Sequence, residues 1–457
     1  MATEGGYPDP MRQDILDLVR RYWPPPSLYG VKAAEEEFVP GKSLIPYSGP
    51  TWNEEELAEA IQALLEGQWL VSGERVREFE RAFSKKVGQE YTLMVNSGSS
   101  ANLLMVSALR SKRLFGFSEV GVITPVSGFP TTVAPILQNG FKPVFVDVEL
   151  GSLNLDLEQV EARLKDTPNV KALMFAHTLG NPPDMDRVLD LCRRYDLVFL
   201  EDNCDSLGST WGGAPLGSFG LLSSCSFYPA HHLTTGEGGA VSTSKPEIEK
   251  ILRSLAWWGR DCYCVGNANL LENGTCKKRF NNWLPVLPDL VVDHKYVYSE
   301  IGYNLKPLDL QGAIGLAQLR KYDWIHRRRK EVAESYRSFF LQYPDLFHLP
   351  EAHPKSDVSW FHFAVTIATD RFSRDELIRF LESRRIQTRN FFAGNILCHP
   401  AFEHLGDFND YPNALRGARS SFLLGVSPNL REDQIEYVKS SVREFIETHG
   451  APGASAA

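Results

Sequence analysis

The middle of the chain alternates between short apolar β-rich runs and helical patterns, and this alternation restricts the fold more than any other feature. The β-rich runs lie at 91–95, 120–124, 143–148, 171–176 and 197–201. Amphipathic helical spacing precedes and separates them, at 54–65, 72–86, 102–113, 157–164 and 185–195. Strand, helix and strand at this spacing predict a largely parallel sheet with helices on both faces. The predicted fold class is therefore α/β.

The regions on either side of the alternation predict further parts. One amphipathic helix candidate, at 11–22, precedes a run of three prolines. One long helix is predicted from near Pro307 to past Tyr322, and the residues after it mix helices with short strands. The predicted parts are an N-terminal arm, a large domain, a smaller C-terminal α+β domain and a disordered tail, at 1–45, 46–330, 331–448 and 449–457.

Composition narrows the choice of partners. The 457 residues are enough for a large core and two domains, and they carry a net charge of −9. That charge argues against nucleic acid or an anionic membrane as the main partner. No apolar run reaches the ~18 residues of a spanning helix, and the first residues lack a basic and then hydrophobic signal pattern. We therefore expect a cytoplasmic protein.

Polar clusters follow the β-rich runs, where ligands bind in such sheets. Gly98 and Ser99 lie in NSGSSAN, between a strand and a helix, where backbone N–H groups favour a phosphate. Asp202 ends another run, and a carboxylate there can pair with a protonated pyridine nitrogen. Phe129, in SGFPTT, could stack on a ring. Each of these residues also has an alternative without a ligand. Gly98 and Ser99, and likewise Asp202, could simply belong to a helix cap, and Phe129 could be a core residue.

Seven cysteines are an odd number for a disulfide framework, and the cytosol would keep thiols reduced. Four thiolates suit Zn²⁺ or an iron–sulfur cluster, and the candidates are Cys204, Cys262, Cys264 and Cys276. The last three lie in a polar, aromatic insert at 257–300. The C-x-C spacing is tight for a structural zinc site, and buried thiols are the alternative. The other cysteines, Cys192, Cys225 and Cys398, are interpreted as small buried apolar residues.

The segment SFYPAHHLTTGEGGAV, at 226–241, has the rhythm of a pyridoxal-phosphate site without its lysine. His231 and His232 occupy the turn, and the next lysine is Lys245. Histidine cannot form the imine that holds the resting cofactor. Imidazole titrates near neutrality and can act as a general base. Histidines that only hydrogen-bond within a polar turn are the alternative.

Together with GYNLKPLDLQ, HTLGN and EDNCDSLGS, these motifs resemble the sugar aminotransferases and dehydratases of the DegT/DnrJ/EryC1/StrS family. The resemblance spans about residues 45–445. It implies fold type I of the pyridoxal-phosphate-dependent enzymes, the aspartate-aminotransferase class, with a large mostly parallel-sheet domain and a smaller C-terminal α+β domain.

The resemblance also implies roles for named residues. Those that would bind pyridoxamine or pyridoxal phosphate (PMP/PLP) are Gly98, Ser99, Phe129, Asp202, Asp205, Ser226 and Asn304. Asp205 stands where the family often has glutamine near the ring hydroxyl. Asn304 would reach the phosphate of a neighbouring subunit, which implies a homodimer with shared sites. Weaker candidates for sugar contacts are His177, Arg389 and Asn395.

Histidine at position 231 resembles the branch of the family that removes a sugar hydroxyl. WWGRDCYC, TCKKRF and DHKY narrow the resemblance to 3-dehydrases acting on CDP-4-keto-6-deoxyglucose, which carry a [2Fe–2S] cluster on four cysteines matching Cys204, Cys262, Cys264 and Cys276. We hypothesise that His231 takes the C4′ proton of the cofactor as the C3 hydroxyl leaves. The resemblance implies an NAD(P)H-dependent flavin iron–sulfur reductase as partner and a 3,6-dideoxy sugar as product, typical of surface lipopolysaccharide.

Three alternatives stay open at this point. The same chemistry could act on a dTDP-4-keto-6-deoxyhexose of secondary metabolism, because these motifs do not identify the nucleotide. An ordinary transaminase is disfavoured by the missing lysine. A catalytically silent scaffold with a zinc clip is disfavoured because Asp202, Ser226 and Asn304 are all present.

Overall fold

The computed structural model describes residues 9–22, 37–67, 70–262 and 276–449. These residues form two compact units. The first contains the described residues of Met1–Pro25, Trp52–Ser118 and Gly220–Tyr322. The second contains those of Pro26–Thr51, Glu119–Phe219 and Asp323–Ala457. The division into arm, large domain and small domain stays a prediction. Much of the predicted arm and the tail from residue 450 onward lie outside the described residues.

The α-helices of the described residues follow in chain order. They are α1 (Asp9–Tyr22), α2 (Glu54–Glu66), α3 (Glu74–Val87), α4 (Gly98–Ala108), α5 (Pro130–Gln138), α6 (Leu157–Asp166) and α7 (Met185–Arg194). The later helices are α8 (Pro246–Ala256), α9 (Asp309–Arg320), α10 (Tyr322–Phe340), α11 (Arg374–Ser383), α12 (Pro412–Ser420) and α13 (Glu432–His449). No helix in this part of the chain is both long enough and apolar enough to cross a membrane.

The β-strands are numbered in the same way. The first nine are β1 (Tyr91–Val95), β2 (Gly121–Pro125), β3 (Lys142–Val146), β4 (Val170–Ala176), β5 (Val198–Asp202), β6 (Thr210–Trp211), β7 (Ala214–Pro215), β8 (Leu222–Ser226) and β9 (Gly239–Thr243). The others are β10 (Phe280–Asn281), β11 (Val292–Asp293), β12 (Phe347–His348), β13 (Ser356–Asp357), β14 (His362–Ile367), β15 (Arg389–Asn390) and β16 (Ser421–Gly425).

The first unit pairs β9 with both β1 and β8, and both pairings are antiparallel.

Helices α3 and α9 of the first unit pack closely because two glycines of α9 lack side chains. A Cβ on Gly312 would lie 2.5 Å from the Val76 backbone nitrogen, and one on Gly315 would lie 2.6 Å from the Phe79 ring. Helix α2 begins with a capping box between Asn53 and Glu56, which satisfies two backbone N–H groups at its start.

The second unit contains four parallel strands in the order β5, β4, β2 and β3, which confirms the predicted parallel pairing. All five residues of β2 are buried, as expected for a strand covered on both faces. An antiparallel sheet in the order β12, β14, β16 and β15 also belongs to this unit. Its core is rich in phenylalanine, including Phe340, Phe363, Phe422 and Phe445.

The prediction of one long helix past Tyr322 is wrong. Helix α9 ends at Arg320 and α10 begins at Tyr322. The Lys321 N–H bonds back to the Gln318 carbonyl, as in a tightened last turn. The Lys321 ammonium donates to both carboxylate oxygens of the fully buried Glu56 at 2.7 Å. The sequence has neither glycine nor proline at this break. The ion pair between Lys321 and Glu56 lies at the same place and joins residues that are distant in the chain.

Candidate active site

In the first unit, a tight turn joins β1 to α4. The Ser97 hydroxyl caps the helix by accepting the Ser100 N–H at 3.1 Å. Gly98 lies against Ser226, the last residue of β8, so closely that a Cβ on Gly98 would lie 2.5 Å from the Ser226 Cβ and 2.9 Å from its Oγ. Ser99 is exposed beside them. The structure therefore brings Gly98, Ser99 and the Ser226 hydroxyl together at a helix N-terminus, where the helix dipole favours an anion.

The histidine pair lies in the loop between β8 and β9. Backbone bonds hold this loop: the Phe227 N–H donates to the Gly238 carbonyl at 2.9 Å and the Thr235 N–H donates to the Phe227 carbonyl at 3.0 Å. His231 is partly exposed, whereas His232 is only 2% exposed. Of the two imidazoles, His231 is the more accessible to a substrate.

Asn304 lies in an exposed segment of the same unit. The Leu305 carbonyl accepts the Asn96 N–H at 3.0 Å, which holds this segment beside the turn before α4. The Lys306 ammonium donates to Asn304 Oδ1 and lies 3.4 Å from the centroid of the Trp258 ring. Sequence reasoning assigned no role to Lys306 or Trp258, although GYNLK and WWGR both contributed to the resemblance.

In the second unit, Asp202 ends β5 and is 3% exposed. The Thr132 hydroxyl donates to its Oδ2 at 2.8 Å and the Cys204 N–H donates to its Oδ1 at 3.2 Å. No helix begins directly after Asp202, so the helix-cap alternative does not apply. The two hydrogen bonds fix the direction of a carboxylate at the carboxyl end of a parallel strand.

Phe129 directly precedes α5 and is 56% exposed, so it is not a core residue. The buried Ser127 hydroxyl in the same loop has no hydrogen-bond partner among the described residues. The exposed aromatic face of Phe129 is compatible with stacking on the predicted aromatic cofactor.

Asp205 is buried, and its burial, followed by the charge of Asp202, raises its pKa well above the usual value. A backbone hydrogen bond from Leu179 and the charge of Arg329 oppose this shift without cancelling it. Burial also lowers the pKa of Arg329, to about 9. Burial beside Asp202 therefore favours the protonated form of the Asp205 carboxyl, which can donate a hydrogen bond.

Replacing Asp205 with asparagine should increase the free energy of unfolding, and the gain should grow as pH rises from about 4. Above about pH 4, Asp205 loses its proton in the unfolded protein, whereas its raised pKa favours the protonated form in the folded protein. The Asp205 carboxyl therefore lowers the stability of the wild-type protein as pH rises. Urea unfolding at pH 4, 6 and 8 measures the effect. The exposed Asp370→Asn variant is the control and should show no such trend. A gain for Asp205→Asn that does not change with pH would contradict a raised pKa of Asp205 in the folded protein.

Two of the weaker sugar-contact candidates are enclosed. His177 is fully buried, and its Nε2 lies 2.9 Å from Glu201 Oε1, which also accepts the Gly217 N–H. Asn395 is fully buried and caps a short helix through the Leu397 N–H. Arg389 is exposed, and its guanidinium lies 3.7 Å from the Tyr47 ring centroid. Of these three side chains, therefore, only that of Arg389 is accessible to a sugar.

Three of the four candidate metal-binding cysteines lie within the described residues. Cys262 is buried, and Cys204 and Cys276 are partly exposed. Cys264 lies outside the described residues. Within 9–22, 37–67, 70–262 and 276–449, no group of three His, Cys, Asp or Glu side chains is placed to hold a metal.

The first unit places Cys262 and Cys276 on segments that pair with the same stretch, 292–298. Strand β10 pairs with β11 four residues after Cys276. The Asp261 N–H, next to Cys262, donates to the Val297 carbonyl at 2.8 Å. Both ends of the cysteine segment therefore lie next to backbone that hydrogen-bonds to the stretch 292–298, a placement compatible with a shared ligand.

The remaining cysteines differ from one another. Cys192 and Cys225 are buried as predicted, and burial raises the pKa of Cys192 to about 12, which makes it inert. The prediction for Cys398 is wrong, because this residue is exposed.

The chain is similar in sequence to known proteins of the family that its motifs resemble. The profile of the DegT/DnrJ/EryC1/StrS aminotransferase family matches residues 51–443. The dTDP-4-dehydro-2,6-dideoxy-D-glucose 3-dehydratase of Saccharopolyspora spinosa is 43% identical over 416 residues, covering 90% of this chain and 88% of that protein. The lipopolysaccharide biosynthesis protein RfbH of Salmonella typhimurium is 40% identical over 441 residues, covering 95% of this chain and 98% of that protein.

A solved structure shows the same fold. The E. coli GDP-4-keto-6-deoxy-D-mannose-3-dehydratase with bound hydrated PLP superposes with a TM-score of 0.75 and 29% identity. The match covers 87% of this chain and 98% of that chain. The predicted fold class, α/β of the pyridoxal-phosphate-dependent fold type I, is confirmed.

Proposed function

The chain belongs to the DegT/DnrJ/EryC1/StrS aminotransferase family, and from that premise we propose that it is a dehydrase that removes the C3 hydroxyl of an NDP-4-keto-6-deoxyhexose. The observation that carries the proposal is His231. It stands where a transaminase of the family has its lysine, in a loop held by backbone bonds, and it is partly exposed. The relatives that are 43% and 40% identical include one named as a sugar 3-dehydratase, which supports the same reaction.

Within each unit taken by itself, the residue types that the resemblance assigns to the cofactor suit pyridoxamine phosphate. Gly98, Ser99 and Ser226 would hold its phosphate at the start of α4, where a side chain on residue 98 would collide with Ser226. Phe129 would stack on the ring, and Asp202 would pair with the ring nitrogen. When bound, this cofactor supplies an amine for the C4 ketone of the sugar and an electron sink.

The chain's own residues would then orient the ring and move one proton. Asp202 would pair with the pyridine nitrogen and favour its protonated form, since two hydrogen bonds hold the carboxylate in place. Asp205, whose raised pKa favours the protonated carboxyl, would donate a hydrogen bond to the ring hydroxyl. His231 would act as the general base that accepts the proton from the C4′ carbon of the cofactor. No lysine in this loop competes for the aldehyde carbon of the cofactor.

We further propose that Cys204, Cys262, Cys264 and Cys276 hold a [2Fe–2S] cluster, which would supply electrons one at a time from an NAD(P)H-dependent flavin iron–sulfur reductase. The pairing of segments beside Cys262 and Cys276 supports a shared ligand. The product would be a 3,6-dideoxy sugar. Asn304 is exposed and could reach the cofactor phosphate of a second subunit in a homodimer.

The nucleotide has two candidates. CDP-4-keto-6-deoxy-D-glucose is the candidate implied by the resemblance of WWGRDCYC and TCKKRF to enzymes acting on that sugar. A dTDP-linked sugar is the second candidate, because the relative that is 43% identical carries a dTDP-sugar name. An assay of the protein with PMP and the CDP-, dTDP- and GDP-linked 4-keto-6-deoxy sugars tests the function. Loss of the C3 hydroxyl from one of them supports the proposal, and amination at C4 instead would reject it.

Replacing Cys262 with serine should remove the cluster. Wild-type protein purified without oxygen should contain two irons and two sulfides per chain. The variant should contain almost no iron or sulfide, because only three cysteine thiolates remain for the four ligand positions of the cluster. Iron, sulfide and zinc analysis beside a visible spectrum measures this. The exposed Cys398→Ser is the matched control and should keep the wild-type iron content. Zinc in place of iron in the wild-type protein would reject the electron-transfer part of the proposal.

A further inference from the structure

Two cations of the first unit contact one indole ring. The Lys306 ammonium lies 3.4 Å from the centroid of the Trp258 ring, and the Arg260 guanidinium carbon lies 4.5 Å from it. Trp258 is 40% exposed, so the ring and its two cations are open to solvent. Each contact is a cation–π interaction, and together they hold two positive charges over one side chain.

The next feature of this cation pair is its balance of charge. Within the part of the chain that the structure describes, neither Lys306 nor Arg260 forms an ion pair with a carboxylate, and the buried Arg260 Nε has no hydrogen-bond partner there. The ammonium of Lys306 donates only to the Asn304 amide oxygen. Burial, and then the charge of Arg260, lowers the pKa of Lys306 to about 8. An anion between the two groups would remove their mutual repulsion.

The backbone holds this pair rigidly. The Trp258 N–H bonds to the Tyr303 carbonyl, and a Cβ on Gly302 would lie 2.2 Å from the Gly259 nitrogen. The segments 257–260 and 302–306 are therefore pressed together, and only glycines allow this approach. A site fixed in this way loses little conformational freedom when a ligand binds.

We propose that Lys306 and Arg260 bind the diphosphate group of the nucleotide-sugar substrate. The inference rests on the proposed function. A diphosphate carries two negative charges that match an ammonium and a guanidinium, and arginine binds such oxygens through two parallel N–H groups. The cofactor phosphate is the other source of the same chemistry. It already has the turn at Gly98, Ser99 and Ser226, so the diphosphate is the ligand left for the cation pair.

Calorimetric titration of the full-length protein with CDP, dTDP and GDP tests the site without turnover. Lys306→Met and Arg260→Met should each weaken binding of the preferred nucleotide about 10- to 100-fold. Lys306→Arg keeps the charge and should stay within a few-fold of wild type. Lys250→Met, an exposed lysine of α8, is the control. Parallel titration with PMP should give unchanged affinity, and iron content checks Arg260→Met because Arg260 lies two residues from Cys262.

Several outcomes would overturn the site. Unchanged nucleotide affinity in both methionine variants would do so, as would a wild-type protein that binds none of the three nucleotides. Loss of PMP affinity with nucleotide affinity retained would assign the pair to the cofactor phosphate and also reject the diphosphate. If the variants lose nucleotide binding but the wild type leaves all three 4-keto sugars unchanged, the site stands and the dehydrase proposal fails. Unfolding temperatures confirm that each variant is folded.

Discussion

Replacing His231 with asparagine should lower the turnover of the NDP-4-keto-6-deoxyhexose substrate about 10²- to 10⁴-fold, the usual contribution of a general base. Asparagine has a similar size and can hydrogen-bond, but it cannot take a proton near neutral pH. The backbone bonds of the loop from Phe227 to Gly238 do not involve this side chain, so the loop should keep its conformation. Affinity for PMP should stay within a few-fold of wild type. Single-turnover release of the C3 hydroxyl measures the effect.

The control for this experiment is His404→Asn, which changes an exposed histidine to the same residue. It should keep wild-type turnover. The assignment of His231 as the base fails if His231→Asn eliminates the hydroxyl at the wild-type rate. A companion variant, His231→Lys, introduces the missing amine and should favour an imine with PLP, seen as a shift of the visible absorption band.

Asp202→Asn should lower turnover about 10²- to 10³-fold, as loss of one electrostatic partner of a developing charge does. The amide keeps an oxygen that can accept the bonds from Thr132 or Cys204, so the local structure should survive. It carries no negative charge, however, and no longer keeps the pyridine nitrogen protonated. The unprotonated ring is a weaker electron sink, so release of the proton at C4′ slows.

The absorption spectrum of bound PMP and its pH dependence separate this effect from misfolding. The variant should bind the cofactor with a changed spectrum and should unfold within a few degrees of the wild-type temperature. Asp370→Asn, an exposed aspartate, should leave both the spectrum and turnover unchanged. Wild-type turnover by Asp202→Asn would reject the pairing with the ring nitrogen.

Much of the fold could be predicted from local patterns. The parallel strands β2 to β5 are nearly continuous apolar runs because both faces are covered, and such runs are visible in any single sequence. The turn before α4 was also visible, because glycine and serine between a strand and a helix have few other uses. The absence of lysine from 226–244 is a fact of the sequence alone, and it favours dehydration over transamination in the proposed function.

Other properties depended on neighbours that are distant in the chain. The break at Lys321 coincides with an ion pair to Glu56, 265 residues away. His177 and Asn395 have polar side chains that could contact a sugar, but the folded structure buries both of them completely. The raised pKa of Asp205 follows from burial beside Asp202, and the cation pair on Trp258 joins segments more than 40 residues apart.

The sequence by itself thus determined which elements form and which residue types stand at the ends of the strands. The spacing of apolar residues and the choice of turn residues depend on only a few neighbours in the chain. For that reason helices, strands and turns can be predicted from one sequence. The tertiary structure decided which of those side chains are accessible, which are protonated and which charges lack a partner. Burial and electrostatic interaction depend on atoms brought together by folding, and for that reason Lys306, Arg260 and the acid form of Asp205 emerge only from the folded chain.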